Sequence, residues 1–409
     1  MQYVFDTISH MEIGLNPFSP NAGSRPPELV GRDDVLRDAQ TMLARLPRRF
    51  SVQSMLLTGI RGVGKTVLLN EVSRLADADK VVYPIYLEAT EDRSFAEMIA
   101  SPLRMTLLKL DRIAKTKDIV RKGMVGLRNF LGTVRVQYGD FGIELEPQLG
   151  LSDSGDMEAD LTDLFCAVAE AAADNGKGIL LLIDEVQYLS ERELGALVMA
   201  MHRLQQLALP MAMIGAGLPT LPGLTGNAKS YAERLFVFPE IGALSKENSI
   251  RAIRIPLADA NVRIDDDAAD FVFHRSGGYP YFIQEWGFQL WNFVQEEPIT
   301  LADAKCVDVA VAEKLDQSFF RVRVERLTQA ERSMLLALAS MEGPMYRLQE
   351  VADSMKMSVR ALSPRRSSLI AKGMIYSPGT GLVAFTVPLF AEYLKRCELR
   401  NKSGMSVLA

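Results

Sequence analysis

The chain has 409 residues, 48% of them hydrophobic and 24% charged, with a formal net charge of −5. That length exceeds what one hydrophobic core usually serves, so two or three domains are expected, and the composition is ordinary for a soluble globular protein. The three scattered cysteines (Cys166, Cys306, Cys397) and three histidines (His10, His202, His274) offer neither a disulfide framework nor zinc-ligand spacing, and no apolar run reaches the roughly 18 residues that span a bilayer.

The charge is unevenly spread. From Arg326 to Ala409 there are 12 Lys/Arg against 6 Asp/Glu, so the preceding 325 residues carry a net −11. Nucleic acid is electrostatically permitted at the C-terminal end and opposed elsewhere.

Residues 1–28 (NPFSPNAGSRPPE within them) are rich in Pro, Ser, Asn and Gly and read as an extended arm. They lack the basic-then-apolar pattern of a secretory leader, so a reducing, cytoplasmic setting without membrane attachment is expected. Helical periodicity starts after Arg32, with Val35, Leu36, Ala39, Met42 and Leu43 on one stripe. Five apolar segments of strand length follow, at 54–59, 81–89, 179–185, 211–217 and 235–241. Each is continuous rather than alternating, as parallel strands buried on both faces require. With helical patterns between them, residues 29–244 read as an α/β domain around a parallel sheet.

Between the second and third strands, Val134, Val136 and Tyr138 alternate with polar residues, as do Phe141, Ile143 and Leu145 across a Gly-Asp turn. The pattern predicts a hairpin insertion at about 130–150, with a return loop over 151–158. Residues 245–325 read as all-helical, and the block 326–409 changes character again.

The sharpest motif is GIRGVGKT: Gly59, Ile60, Arg61, Gly62, Val63, Gly64, Lys65 and Thr66, with Val67 opening the helix behind it. Glycines there let consecutive N–H groups turn toward an anion, and the helix start adds its positive dipole end. Lys65 would reach the β- and γ-phosphates of ATP or ADP, and the Thr66 hydroxyl would hold Mg²⁺. The complement is ILLLIDEVQYL, where Asp184 would hold the metal and Glu185 would polarise the attacking water.

The order PPELVGRDDVL, GIRGVGKT, LLLIDEVQYL, a later apolar strand and a helical lid resembles the AAA+ ATPases. Within them it is most similar to the branch of origin-recognition and signal-transduction ATPases. The resemblance implies a P-loop NTPase fold, slow ATP hydrolysis, adenine contacts from Leu29, Val30 and Gly31, and nucleotide contacts from Pro280 and Tyr281 of SGGYPYFIQEWG. It makes Arg234 the candidate for an arginine finger acting on a neighbour's nucleotide in a homo-oligomer, although an arginine before a strand is commonly a surface residue. Two departures stand out. The fourth strand, MAMIGAGLPTL, offers no polar sensor before Thr220, and the lid helix has no arginine, leaving Arg275 as a weak substitute.

In the C-terminal block, Thr328 and Glu331 form a capping box for a helix striped by Met334, Leu335, Leu338 and Ala339. Two more helical segments and two short strands around Pro-Gly-Thr-Gly predict a winged helix-turn-helix, its third helix carrying Arg360, Arg365, Arg366 and Lys372. Those residues would contact the phosphates and guanine edges of double-stranded DNA. The same module also serves as a protein-interaction or autoinhibitory clamp, so two functions stand side by side. One is a DNA-associated ATPase; the other is a nucleotide-dependent switch with a protein partner.

Overall fold

Apolar segments with no polar alternation can satisfy their backbones only inside a sheet covered on both faces, and that is where these segments lie. The computed structural model describes residues 13–21, 23–113, 117–133, 156–230, 232–294 and 296–402. The chain divides into two units, one of residues 33–59 and 65–241, the other of 1–32, 60–64 and 242–409.

In the 33–241 unit, α1 (Asp33–Arg45) leads to β1 (Ser54–Thr58), then α2 (Lys65–Asp79), β2 (Val82–Glu88), α3 (Phe95–Asp111) and α4 (Lys117–Thr133). α5 (Met157–Asp174), β3 (Gly178–Asp184), α6 (Glu191–Gln206), β4 (Met211–Gly217), α7 (Leu221–Ala228), α8 (Ala232–Leu235) and β5 (Phe236–Val237) follow. The strands form one parallel sheet in the order β2-β3-β4-β1-β5, with Ile85 opposite Leu181, Leu182 opposite Ile214 and Leu57 opposite Ala216. Every residue of β1, β3 and β4 is buried. This order brings the C-terminal ends of β1, β3 and β4 side by side, where open α/β sheets hold ligands.

The fifth strand is shorter than the expected 235–241. Only Phe236 and Val237 pair regularly, with one further bridge between Thr58 and Glu240. Pro239 has no N–H to continue the ladder; its carbonyl instead accepts from Thr58 N at 2.9 Å. Of the hairpin expected at about 130–150, residues 130–133 end α4 instead, and 134–150 lie outside the described residues. Of the expected return loop, residues 151–155 lie outside the described residues, and Met157 and Glu158 belong to α5, which Asp156 caps through Glu158 N.

The other unit contains α9 (Lys246–Asp259), α10 (Asp266–Ser276), α11 (Pro280–Phe293), α12 (Leu301–Leu315), a π-turn at Asp316–Arg321 and α13 (Val322–Glu325). α14 (Gln329–Ser340), β6 (Tyr346–Arg347), α15 (Leu348–Ser354), α16 (Val359–Ala371), β7 (Ile375–Tyr376), β8 (Leu382–Phe385) and α17 (Phe390–Lys402) complete it. One continuous core runs from Phe18 and Val30 through Trp286, Trp291 and Phe320 to Phe390 and Cys397. The arm is therefore anchored: Phe18 is 3% exposed and fills the space that a Cβ on Gly287 would need, and Asn16 donates to Phe288 O at 3.1 Å.

The capping box of Thr328 and Glu331 forms as expected, and the two expected strands pair antiparallel. The structure adds β6, making a three-stranded sheet in the order β6-β8-β7, and α17, a helix that follows the expected strands. Phe390, Tyr393, Leu394 and Cys397 are all buried, a helical stripe that the strand-forming aromatic content had obscured. Among the described residues no helix is long and apolar enough to cross a membrane.

Candidate nucleotide site

β1 and β3 deliver the key polar groups because each strand ends where its apolar run ends. Thr66, on the first turn of α2, donates its hydroxyl to Asp184 Oδ2 at 2.6 Å. Lys65 is 8% exposed and donates Nζ to the Gly59 carbonyl at 2.8 Å. Asp184 is 3% exposed, and burial raises its carboxyl above the usual range, with the Thr66 hydrogen bond pulling the other way. Burial and the Asp184 charge likewise raise Tyr86, whose hydroxyl stands 3.4 Å from Asp184 Oδ2. Two hard oxygens, Thr66 Oγ1 and Asp184 Oδ2, beside a buried ammonium suit Mg²⁺ with a polyphosphate.

Glu185 follows Asp184 with φ at 53°, a left-handed conformation that is costly for a residue with a Cβ. Its N–H donates to Asp184 Oδ1 at 2.9 Å, and its carboxylate accepts from the Gln187 amide. Gln187 also accepts from Leu218 N at 3.1 Å, immediately after β4. Sequence reasoning passed over Gln187; the available signal was an amide two residues after the paired carboxylates.

Ile60–Gly64 group with the other unit. Gly62 and Gly64 have φ of 82° and 92°, which side-chain-bearing residues resist, so the glycines serve the turn itself. Arg32 ties this segment down, donating to Val63 O at 3.0 Å and Gly242 O at 2.6 Å. It closes the LVGR stretch from which only Leu29, Val30 and Gly31 had been singled out. Leu29 is half-buried and Val30 buried, while Gly31 has φ of 67° and would meet Asn248 if it carried a Cβ.

Pro280 opens α11, and Tyr281 packs its Cβ 3.9 Å from the position a Cβ on Gly62 would take. The Tyr281 ring stacks on Phe319 at 4.9 Å, and Phe319 in turn carries the Arg323 guanidinium at 4.0 Å. Burial and then the Arg61 charge push Arg323 down to about 10. Arg275, the expected substitute for a lid arginine, is held by Asp308 at 2.7 Å. Arg323 lies near enough to Arg61 to feel its charge. The Arg61 N–H donates to Thr386 O at 2.9 Å, and its guanidinium lies against Gly373.

Arg234 lies exposed on α8, and its carbonyl accepts from Gln53 at 3.2 Å. Val67 is half-buried in the first turn of α2. Of the four basic residues expected to face DNA, Arg360 is exposed, while Arg365 and Arg366 are half-buried. Lys372 is exposed and has a partner within the chain. It caps the end of α16 and donates to both oxygens of Glu331, at 2.9 and 2.8 Å.

Burial of Glu331 favours its neutral form, but Lys372, Ser368 and Thr328 outweigh it and hold the carboxyl at about 2. A depressed carboxylate stabilises the fold above its unfolded value near 4.3 and loses that contribution as the pH falls toward 2. Glu331→Gln is therefore expected to cost about 1–3 kcal/mol at neutral pH, read by unfolding the chain in urea. The gap from the parent should narrow below pH 4.5.

Residues 28–214 match the family described as AAA ATPase domain, and residues 317–394 match a domain of unknown function (DUF8462). No curated protein matches the chain. Among solved structures, the Walker-type ATPase of Pyrococcus abyssi aligns at 16% identity with a TM-score of 0.51, covering 91% of this chain and 97% of that one. The Orc1 protein of Aeropyrum pernix, solved in complex with DNA, aligns at 16% identity over 92% of this chain and 95% of that one, with a TM-score of 0.45. The RuvB Holliday junction branch migration motor of Thermotoga maritima aligns at 18% over 91% and 98%, with a TM-score of 0.43. The family match over residues 28–214 and the likeness to the Pyrococcus abyssi protein agree with the sheet order and loop geometry: the fold is a parallel α/β sheet of the AAA+ P-loop type.

Proposed function

We propose that the protein binds and hydrolyses Mg-ATP and couples the state of its nucleotide to a DNA-associated role through a C-terminal winged helix. The observation that carries the catalytic half is the Thr66–Asp184 contact at 2.6 Å beside buried Lys65, with Glu185 next in the chain. When bound, Mg²⁺ would neutralise phosphate charge, held by the Thr66 hydroxyl and the Asp184 carboxylate. Lys65 would bind the phosphates, and Glu185 would orient water. Leu29, Val30, Gly31, Pro280 and Tyr281 are the proposed adenine-side contacts, and exposed Arg234 is the proposed finger toward a second copy.

The DNA half is supported by the basic C-terminal block and by exposed Arg360 on α16. A second reading, the nucleotide-dependent clamp, is favoured by the Thr386 carbonyl on Arg61 N–H, which would let the C-terminal sheet respond to the phosphate loop. Titrating duplex DNA against salt, with and without ATP, separates the two. A log–log slope near zero removes the DNA role.

Arg360→Ala with Arg365→Ala sharpens this test. Phosphate contacts predict weaker binding to all sequences and a salt slope smaller by about one per lost contact. Guanine contacts predict losses of about 1–3 kcal/mol each, confined to preferred sites. A clamp predicts negligible DNA binding in both proteins and faster basal hydrolysis in the variant.

A further inference from the structure

The sequence leaves β4 without a polar side chain where it ends, since MAMIGAG runs straight into Leu218. The structure fills that position from another strand. After β3 the chain makes a tight turn at Val186–Tyr188, fixed by Tyr188 N on Glu185 O at 3.0 Å and Leu189 N on Val186 O at 3.1 Å. The turn aims Gln187 at the end of β4, where its Oε1 accepts from Leu218 N at 3.1 Å. Its Nε2 donates to Glu185 Oε2.

One amide thus spans two elements, with its acceptor end on backbone and its donor end on a carboxylate. Gly217 makes room for it, because a Cβ there would collide with Gln187 Oε1. The anchor on Leu218 also decides which way the amide faces, since only Nε2 is then left to donate.

We infer that Gln187 is a positioning residue for Glu185: it holds one carboxylate oxygen so that the other faces the attacking water, in place of the polar residue that β4 lacks. The inference rests on the ATP-hydrolysis reading above. A carboxylate free to rotate would lose orientation at the reacting centre, and a hydrogen bond from an amide to a charged group restricts that rotation.

The test is single-turnover and steady-state ATP hydrolysis by the full chain with Gln187→Leu, which keeps the bulk and removes both hydrogen bonds. Hydrolysis is expected to slow roughly tenfold to a hundredfold, with the KM and Kd for Mg-ATP within about threefold of the parent. In a Glu185→Gln background the same substitution is expected to change the rate by less than about twofold, because the group it acts through is gone.

An equal loss in both backgrounds means a structural role and overturns the inference. So does an active parent whose rate Gln187→Leu leaves unchanged, with the ATPase reading intact. A parent that does not hydrolyse ATP overturns both. Should Gln187→Leu not fold, Gln187→Glu keeps the acceptor for Leu218 N and replaces the donor by a second carboxylate. It is expected to slow hydrolysis at least as much, and an unchanged rate overturns the inference equally.

Discussion

Lys65→Ala is expected to weaken Mg-ATP binding by about a hundredfold or more, as measured by calorimetric titration. The ammonium is 8% exposed and stands 2.8 Å from the Gly59 carbonyl at the start of the glycine-rich segment. A charge kept out of water there is worth more to a phosphate than a solvated lysine would be, and charge-assisted hydrogen bonds contribute roughly 1.5–3 kcal/mol each. Alanine removes the charge without altering the glycines, so fold and sheet should survive. Lys65→Arg keeps the charge but not the reach, and is expected to recover only part of the affinity. Unchanged affinity in Lys65→Ala would remove the nucleotide from this loop.

Glu185→Gln should separate binding from chemistry. The carboxylate accepts from Gln187, and the residue's backbone N–H donates to Asp184. Glutamine preserves the shape and can still accept from Gln187, so the affinity for Mg-ATP should stay within about threefold. Turnover should fall by about two to three orders of magnitude, the usual contribution of a positioned base. Equal steady-state rates in variant and parent would strip Glu185 of this role. Slow hydrolysis in the parent itself would suit a switch.

The sequence by itself determined the sheet and the motifs on it. Continuous apolar runs allow one solution, strands covered on both faces, and the boundary between apolar and polar residues sets Asp184 and Glu185 at a strand end. Glycine spacing and a following helix suffice to mark the phosphate loop, because both are local properties of the backbone.

What tertiary structure alone decided are the partners of long polar side chains. Nothing local ties Arg32 to Gly242, Lys372 to Glu331 across 41 residues, or Gln187 to Leu218. Lys372, expected from the sequence to face DNA, is exposed and also pairs with Glu331 where α14 and α16 pack together. The end of β4, which has no polar side chain of its own, meets the Gln187 amide from the turn after β3, since the parallel sheet sets those two strand ends side by side. A flexible side chain takes its partner from the three-dimensional neighbourhood, and sheet topology creates that neighbourhood between residues that are distant in the chain.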